Sequence, residues 1–190
     1  MNIPKKFYTW ADVEKAAQSI VNQMYADMWR PDYIVGLTRG GLPLAVLISH
    51  MTGIRMETLK VKLRDLTNDE DGCESNCWMS EDAFGYIDKE DRVKGEIDGE
   101  SQWICSDPNK RKNILIVDDI NDSGATFQWI QKDWPSTCMP DDPHWLDVWD
   151  NNVRFAVMTE NLSSNFHNVK YHWDEVNKAE ENVWLVYPYE

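Results

Sequence analysis

The sequence predicts an α/β fold, a doubly wound, mostly parallel sheet covered by helices on both faces. Three observations predict it. Residues 33–37 and the aliphatic run Ile114, Leu115, Ile116, Val117 have the continuous apolar character of strands buried on both sides. Each run is followed, after a short turn, by a helix-length apolar pattern. Each strand–helix unit then leads into another strand, at residues 56–63 and 153–159, and strand–helix–strand succession implies parallel pairing through crossovers.

In chain order, Thr9 with Asp12 three residues later caps an amphipathic helix that carries Val13, Ala16, Ala17, Ile20, Val21 and Met24 and ends near Trp29, before Pro31. After the strand at 33–37, Thr38-Arg39-Gly40-Gly41 turns the chain. A second apolar helix spans 42–51, with Pro43 tolerated in its first turn and Gly53 closing it. Residues 56–63 alternate roughly between polar and apolar, as a strand does. From 64 to 111 that pattern is lost. The stretch is acidic and rich in Asp, Asn, Gly and Ser, and a structureless loop of this length is rare, so it reads as a lid or a partly ordered insertion. The strand at Ile114 and its helix follow, to about Asp133. A second insertion, 134–152, contains Pro135, Pro140 and Pro143 and a short helix near 145–149. Strands at 153–159 and 183–186 close the chain, which fits one domain over residues 1–190.

Composition narrows the function. Nineteen basic against 33 acidic residues give a formal charge of −14, which disfavours nucleic acid as a partner. Thirteen acidic and three basic residues fall between 65 and 100, so most of the imbalance lies in the insertion. Near the two turns the chain instead offers Arg39, Lys60, Lys62 and Arg64. No run of eighteen apolar residues predicts a membrane span, and MNIPKKFYTW lacks the apolar core of a secretory signal, so the expected location is cytoplasmic. Cys73, Cys77, Cys105 and Cys138 lack the two close pairs of a zinc site and read as free thiols. Of ten tryptophans, most are expected to serve packing.

The run ILIVDDINDSGATFQWI is the most informative. Asp118 and Asp119 fall at the carboxyl end of a buried strand, where open α/β sheets place their ligand crevice. The turn Asp122-Ser123-Gly124-Ala125-Thr126 opens a helix, and a helix start offers unpaired amides and a dipole that favour an anion. One acidic residue would serve as a cap; three leave two unexplained. Carboxylates beside a phosphate cradle suit a phosphorylated sugar held together with Mg²⁺.

VDDINDSGAT resembles the phosphoribosyl pyrophosphate (PRPP) signature of type I phosphoribosyltransferases. The resemblance implies that Asp118 and Asp119 take the ribose hydroxyls and Mg²⁺, directly or through water. It implies further that Asp122 assists proton transfer at the base, and that Ser123, Gly124, Ala125 and Thr126 cradle the 5′-phosphate. IVGLTRGGL resembles the pyrophosphate loop of the purine-salvage branch, with Thr38, Arg39, Gly40 and Gly41 around the departing diphosphate. Arg39 supplies a fixed fork of donors, and the glycines permit close backbone approach. The same resemblance implies a cis peptide between Thr38 and Arg39, although no proline follows. The tail VWLVYPYE resembles that of the xanthine–guanine and hypoxanthine enzymes, in which an aromatic, here Trp184, stacks on the purine and the next backbone, here Leu185, reads its edge. A small hood built from the terminal segments and the acidic insertion, and a dimer or tetramer, are implied as well.

Two departures stand against that pattern. The 6-oxopurine enzymes carry a lysine just after the strand equivalent to 153–159, whereas this chain has Thr159-Glu160-Asn161, of which only Asn161 offers a donor. The acidic insertion also replaces the family's flexible catalytic loop. The implied activity is Mg²⁺-dependent transfer from PRPP to a nitrogenous base, a purine by resemblance. The alternatives are a non-catalytic PRPP- or nucleotide-binding regulator and a transferase for a non-purine acceptor. A dinucleotide-binding oxidoreductase is excluded, because neither strand is followed by G-x-G-x-x-G.

Overall fold

The chain runs through β1 (Lys5–Phe7), α1 (Trp10–Ala26), β2 (Tyr33–Thr38), α2 (Gly41–Thr52), β3 (Met56–Lys60), α3 (Cys77–Phe84), β4 (Lys94–Ile97) and β5 (Glu100–Trp103). It continues through β6 (Ile114–Asn121), α4 (Ala125–Thr137), β7 (Val153–Asn161), β8 (Val169–Val176) and β9 (Trp184–Val186). The computed structural model describes residues 3–61, 63, 73–97 and 99–189.

Five strands form the central sheet in the order β3-β2-β6-β7-β8, and every pairing is parallel. Side-chain alternation divides the apolar runs between two cores. Ile34, Leu115, Val117 and Ala156 pack with α1 and α2 on one face. Val35, Leu37, Ile116, Phe155 and Val157 pack with α3 and α4 on the other. The β2–β3 crossover helix α2 and the β6–β7 crossover helix α4 therefore lie on opposite faces. Winding reverses between β2 and β6, and such a reversal opens a crevice at the carboxyl ends of the two strands.

The expected cap of α1 is present: Thr9 Oγ1 accepts from the Asp12 amide at 3.2 Å, and Asp12 Oδ2 accepts from the Thr9 amide at 2.9 Å. The helix stops at Ala26, short of the expected Trp29. Met28 adopts a left-handed φ of 52°, and the Trp29 amide turns back to the Met24 carbonyl at 3.0 Å, burying the indole in the first core.

Other differences follow from local chemistry. Strand β8 has no counterpart in the sequence reading. It is an edge strand in which only Tyr171 and Val176 are buried and charged residues interrupt the apolar ones, so no apolar run marks it. Helix α4 continues past Asp133 through Pro135, close enough to its end that only one backbone bond of the last turn is lost. The short helix expected at 145–149 is a 3₁₀ turn at Pro143–Asp147, started earlier by Asp142, whose side chain accepts from the His144 amide at 2.9 Å.

The first insertion is structured from Cys73 onward; residues 64–72 lie outside the described set. Asn76 caps α3 by accepting from the Met79 amide at 3.0 Å, and Met79, Ala83 and Phe84 join the second core. Phe84 stacks on Trp145 and Trp145 on Trp149 at centroid distances of 5.1 and 5.8 Å, so the two insertions pack on each other through aromatic rings. The hood strands come from the two ends of the chain, with β1 pairing parallel to β9. Among the described residues no helix is long and apolar enough to cross a membrane.

Candidate active site

Two bends meet at the carboxyl ends of β2 and β6. The first, at Thr38 to Gly41, joins β2 to α2 and contains the expected cis peptide between Thr38 and Arg39. The second begins with Asp118 and Asp119 on β6 and passes through Asp122 to α4. They touch. A Cβ placed on Gly40 would stand 2.1 Å from Asp119 Oδ2, and one on Gly41 would stand 2.2 Å from the Val117 carbonyl oxygen and 2.9 Å from the Asp118 Cα. Only glycine allows this approach. Asp119 is 9% exposed, wedged against the first bend, and its amide donates to Asp118 Oδ1 at 2.9 Å. Arg39 is exposed at the rim, and Lys60 pairs in register with Thr38 on the neighbouring strand. Lys62 and Arg64, the other two cations expected here, lie outside the described residues.

Gly124 holds a left-handed φ of 85° at the start of α4, and its missing side chain makes room for the Phe166 amide, 2.6 Å from where a Cβ would lie. The loop after β7 braces this turn: the Asn165 amide donates to the Ser123 carbonyl at 3.3 Å, and Gln128 Nε2 donates to the Asn165 carbonyl at 3.1 Å. Ser123, Gly124, Ala125 and Thr126 thus form a braced helix start beside the two carboxylates, a donor-rich position for an anion.

The structure supplies what the sequence reading lacked. Lys178, from the loop after β8, places Nζ 2.9 Å from Asp122 Oδ1. Asn161 is not the spare donor it was expected to be. It is 4% exposed, its amide nitrogen donates to the Asp122 carbonyl at 2.9 Å, and its oxygen accepts from Ser163 Oγ at 2.9 Å and from the Lys178 amide at 3.0 Å. Asn161 is the joint that seats both Asp122 and Lys178. No local motif announces Lys178, because its place depends on the return of an edge strand that the sequence does not mark.

Glu160 is engaged elsewhere, accepting from Asn121 Nδ2 at 2.8 Å, while its second oxygen is buried without a hydrogen bond. Burial pushes its carboxyl up to about 7, against the lowering effect of Asn121. A carboxyl raised in the folded state binds protons more readily there than in the unfolded chain. Stability contributed by its neutral form is therefore full below the ordinary glutamate range and is lost as pH rises toward 7. Glu160→Gln is expected to flatten the fall in melting temperature between pH 5 and pH 8; an unchanged slope in thermal melts would refute this.

In the hood, Leu185 is 6% exposed and Trp184 is 56% exposed, so the indole is not a core residue and has a face available. The Trp184 amide donates to the Pro4 carbonyl and the Val186 carbonyl accepts from the Tyr8 amide. Backbone direction alternates along a strand, so the N–H and C=O of Leu185 point away from β1, to the other edge of β9.

The sequence model of the family described as "Phosphoribosyl transferase domain" matches residues 5–132, from β1 through both bends into α4. The chain belongs to that family. As a phosphoribosyltransferase it resembles solved structures over nearly all its length. A purine phosphoribosyltransferase from Pyrococcus horikoshii Ot3 superposes with a TM-score of 0.56 at 17% identity, over 99% of this chain and 95% of that one. The Helicobacter pylori xanthine-guanine-hypoxanthine phosphoribosyltransferase gives 0.59 at 15% identity, over 99% and 93%. A hypothetical protein from Neisseria gonorrhoeae with bound ppGpp gives 0.56 at 15%, over 100% and 91%. At these identities the superpositions establish the shared fold. No curated protein matches the chain by sequence.

Proposed function

We propose that the chain transfers the phosphoribosyl group of PRPP to a 6-oxopurine, with Mg²⁺, releasing pyrophosphate. The observation that supports this reading is the close approach of Gly40 to Asp119, which brings the two bends together at one crevice. Asp118 and Asp119 accept from the ribose hydroxyls, and the start of α4 from Ser123 to Thr126 holds the 5′-phosphate. Arg39 and the amides of Gly40 and Gly41 hold the diphosphate. The carboxylate oxygens of Asp118 and Asp119 are the hard donors that Mg²⁺ takes, so this pair suits the ion; bound there, it neutralises charge on the leaving diphosphate. A base nitrogen attacks the anomeric carbon as the bond to pyrophosphate breaks. Asp122 accepts the proton that the base nitrogen gives up, and catalysis is mainly positioning and charge stabilisation.

The choice of base rests on Lys178 and the hood. An ammonium 2.9 Å from a carboxylate presents a donor beside an acceptor, which complements a ring edge where N–H lies next to C=O. The exposed face of Trp184 provides stacking and the outward backbone of Leu185 a second edge contact. The Pyrococcus horikoshii and Helicobacter pylori purine enzymes share this fold. Lys178→Met is expected to lower kcat/KM for an oxopurine by about 10- to 100-fold, the range for a hydrogen bond involving a charged group, with little change in PRPP affinity. An equal loss with adenine would remove Lys178 from base selection.

The direct assay supplies PRPP, Mg²⁺ and guanine, xanthine, hypoxanthine, adenine or a pyrimidine, and follows pyrophosphate. Release with the oxopurines is expected. PRPP binding without release for any base would instead identify a regulator.

A further inference from the structure

Six polar groups from five segments form one connected file between the carboxyl end of β6 and the hood. The Tyr187 hydroxyl, just beyond β9, is shared between Thr159 Oγ1 at 3.0 Å and the Asp119 backbone oxygen at 3.4 Å. Thr159 on β7 donates to the Tyr8 hydroxyl oxygen at 3.2 Å. Tyr8, just beyond β1, donates to Asp174 Oδ2 on β8 at 2.5 Å, and Lys6 Nζ donates to the same oxygen at 2.5 Å. Thr159, Tyr8 and Tyr187 are all buried. The rings of Tyr8 and Tyr187 stack at 5.1 Å with an interplanar angle of 11°, and Tyr187 stacks in turn on Tyr189 at 5.6 Å.

Each of the three hydroxyls has one proton to give, and all three can be given in the same direction, toward the Asp174 carboxylate. Burial alone would raise the Asp174 carboxyl, but the bonds from Lys6 and Tyr8 outweigh it and hold the group below its ordinary value, so the file ends on a charged acceptor. Tyr187 has one proton for two acceptors, Thr159 Oγ1 and the Asp119 carbonyl, so its hydroxyl sits between β7 and β6 while Thr159 and Tyr8 run one way to Asp174. The file ties both hood strands, through Tyr8 and Tyr187, to the sheet at Thr159 and Asp174, with the Tyr187 hydroxyl also 3.4 Å from the Asp119 carbonyl oxygen.

We infer that Tyr187 is a positioning residue that sets the hood, and with it the base platform at Trp184 and Leu185, at a fixed distance from the acidic pair that holds the sugar. The inference rests on the transferase reading above. Without the hydroxyl, Asp118 to Thr126 keep their own supports on β6 and α4, so PRPP still binds. The base then meets the anomeric carbon from a looser platform, and small misplacements weigh heavily on such a reaction.

The test is steady-state kinetics at a temperature well below the melting point of every variant. Tyr187→Phe keeps both ring stacks and removes the hydroxyl; Thr159→Val removes the middle hydroxyl. Each is expected to raise KM for the base by about 2- to 10-fold, the effect of one net hydrogen bond, with KM for PRPP within about twofold of the parent. Because both cuts open the same file, Tyr187→Phe combined with Thr159→Val should cost little more than either alone. Thr159→Ser, which retains the hydroxyl, should restore the parental KM for the base. Unchanged base KM, equal rises in both KM values, or costs that multiply in the double variant would each overturn the positioning role while leaving the transferase reading intact. A parent chain that releases no pyrophosphate with any base overturns both.

Discussion

Asp122→Asn is expected to bind PRPP much as the parent chain does and to turn over about 10²- to 10⁴-fold more slowly, the range for losing a positioned proton acceptor. Asparagine fills the same space and keeps the Oδ1 that faces Lys178 at 2.9 Å, and the backbone bond from Asn161 to the 122 carbonyl does not depend on the side chain. What it lacks is the basic oxygen. Losing one ion pair whose side chains are about a quarter exposed costs at most about 1 kcal/mol of stability, so the fold should survive while chemistry fails. Stopped-flow turnover with a separate PRPP titration reads the two effects apart. A variant with parental turnover would remove Asp122 from the proton transfer, and one that no longer bound PRPP would place it on the sugar instead.

The glycine pair gives the second large effect, and its two members should fail differently. The Cβ of Gly40→Ala meets the Asp119 side chain at 2.1 Å, and a side chain can swing away. The Gly40 backbone, at φ −61°, is one that alanine adopts without penalty. The expected result is a melting temperature near the parental value with activity lowered at least about 100-fold, because the displaced carboxylate is half of the acidic pair. Gly41→Ala instead meets the Val117 carbonyl at 2.2 Å and the Asp118 Cα at 2.9 Å, and those are backbone atoms that cannot turn aside. Helix α2 must lift from β6, an overpacking cost of about 1–3 kcal/mol. At about 2–4 °C per kcal/mol for a chain of this size, melting should fall by roughly 2–12 °C. An active Gly40→Ala would mean that Asp119 does not work from its observed position; a Gly41→Ala protein with unaltered melting would mean that the two bends are not in contact.

Much of this architecture was legible because its signals are local and redundant. The 114–117 run is apolar at every position, since alternate residues feed two different cores, and the carboxylates follow it directly. The Thr9–Asp12 cap and the Thr38 to Gly41 turn likewise declare themselves within four residues. What escaped the sequence depends on long-range return. Strand β8 is half solvated at the sheet edge and lacks an apolar run, and without it neither Lys178 nor Asp174 can be placed. Asn161 looked like the spare donor of the base pocket because the apolar run ends at Thr159, but Glu160 and Asn161 are the last two residues of β7. In the fold, Glu160 bonds to Asn121 and Asn161 seats Asp122, so the donor beside Asp122 comes from Lys178. The insertion read as a lid or a partly ordered segment because its apolar groups are short, yet Met79, Ala83 and Phe84 are enough to anchor α3 against α4.

The account stands on the two bends gripping one ligand. Calorimetric titration of PRPP with Mg²⁺ into the parent chain, Arg39→Ala and Ser123→Ala tests that most directly. One PRPP per chain is expected, with affinity weakened at both positions, since Arg39 holds the diphosphate end and Ser123 the 5′-phosphate end. Unchanged affinity in either variant, or two independent binding events per chain, would contradict a single crevice shared by both bends.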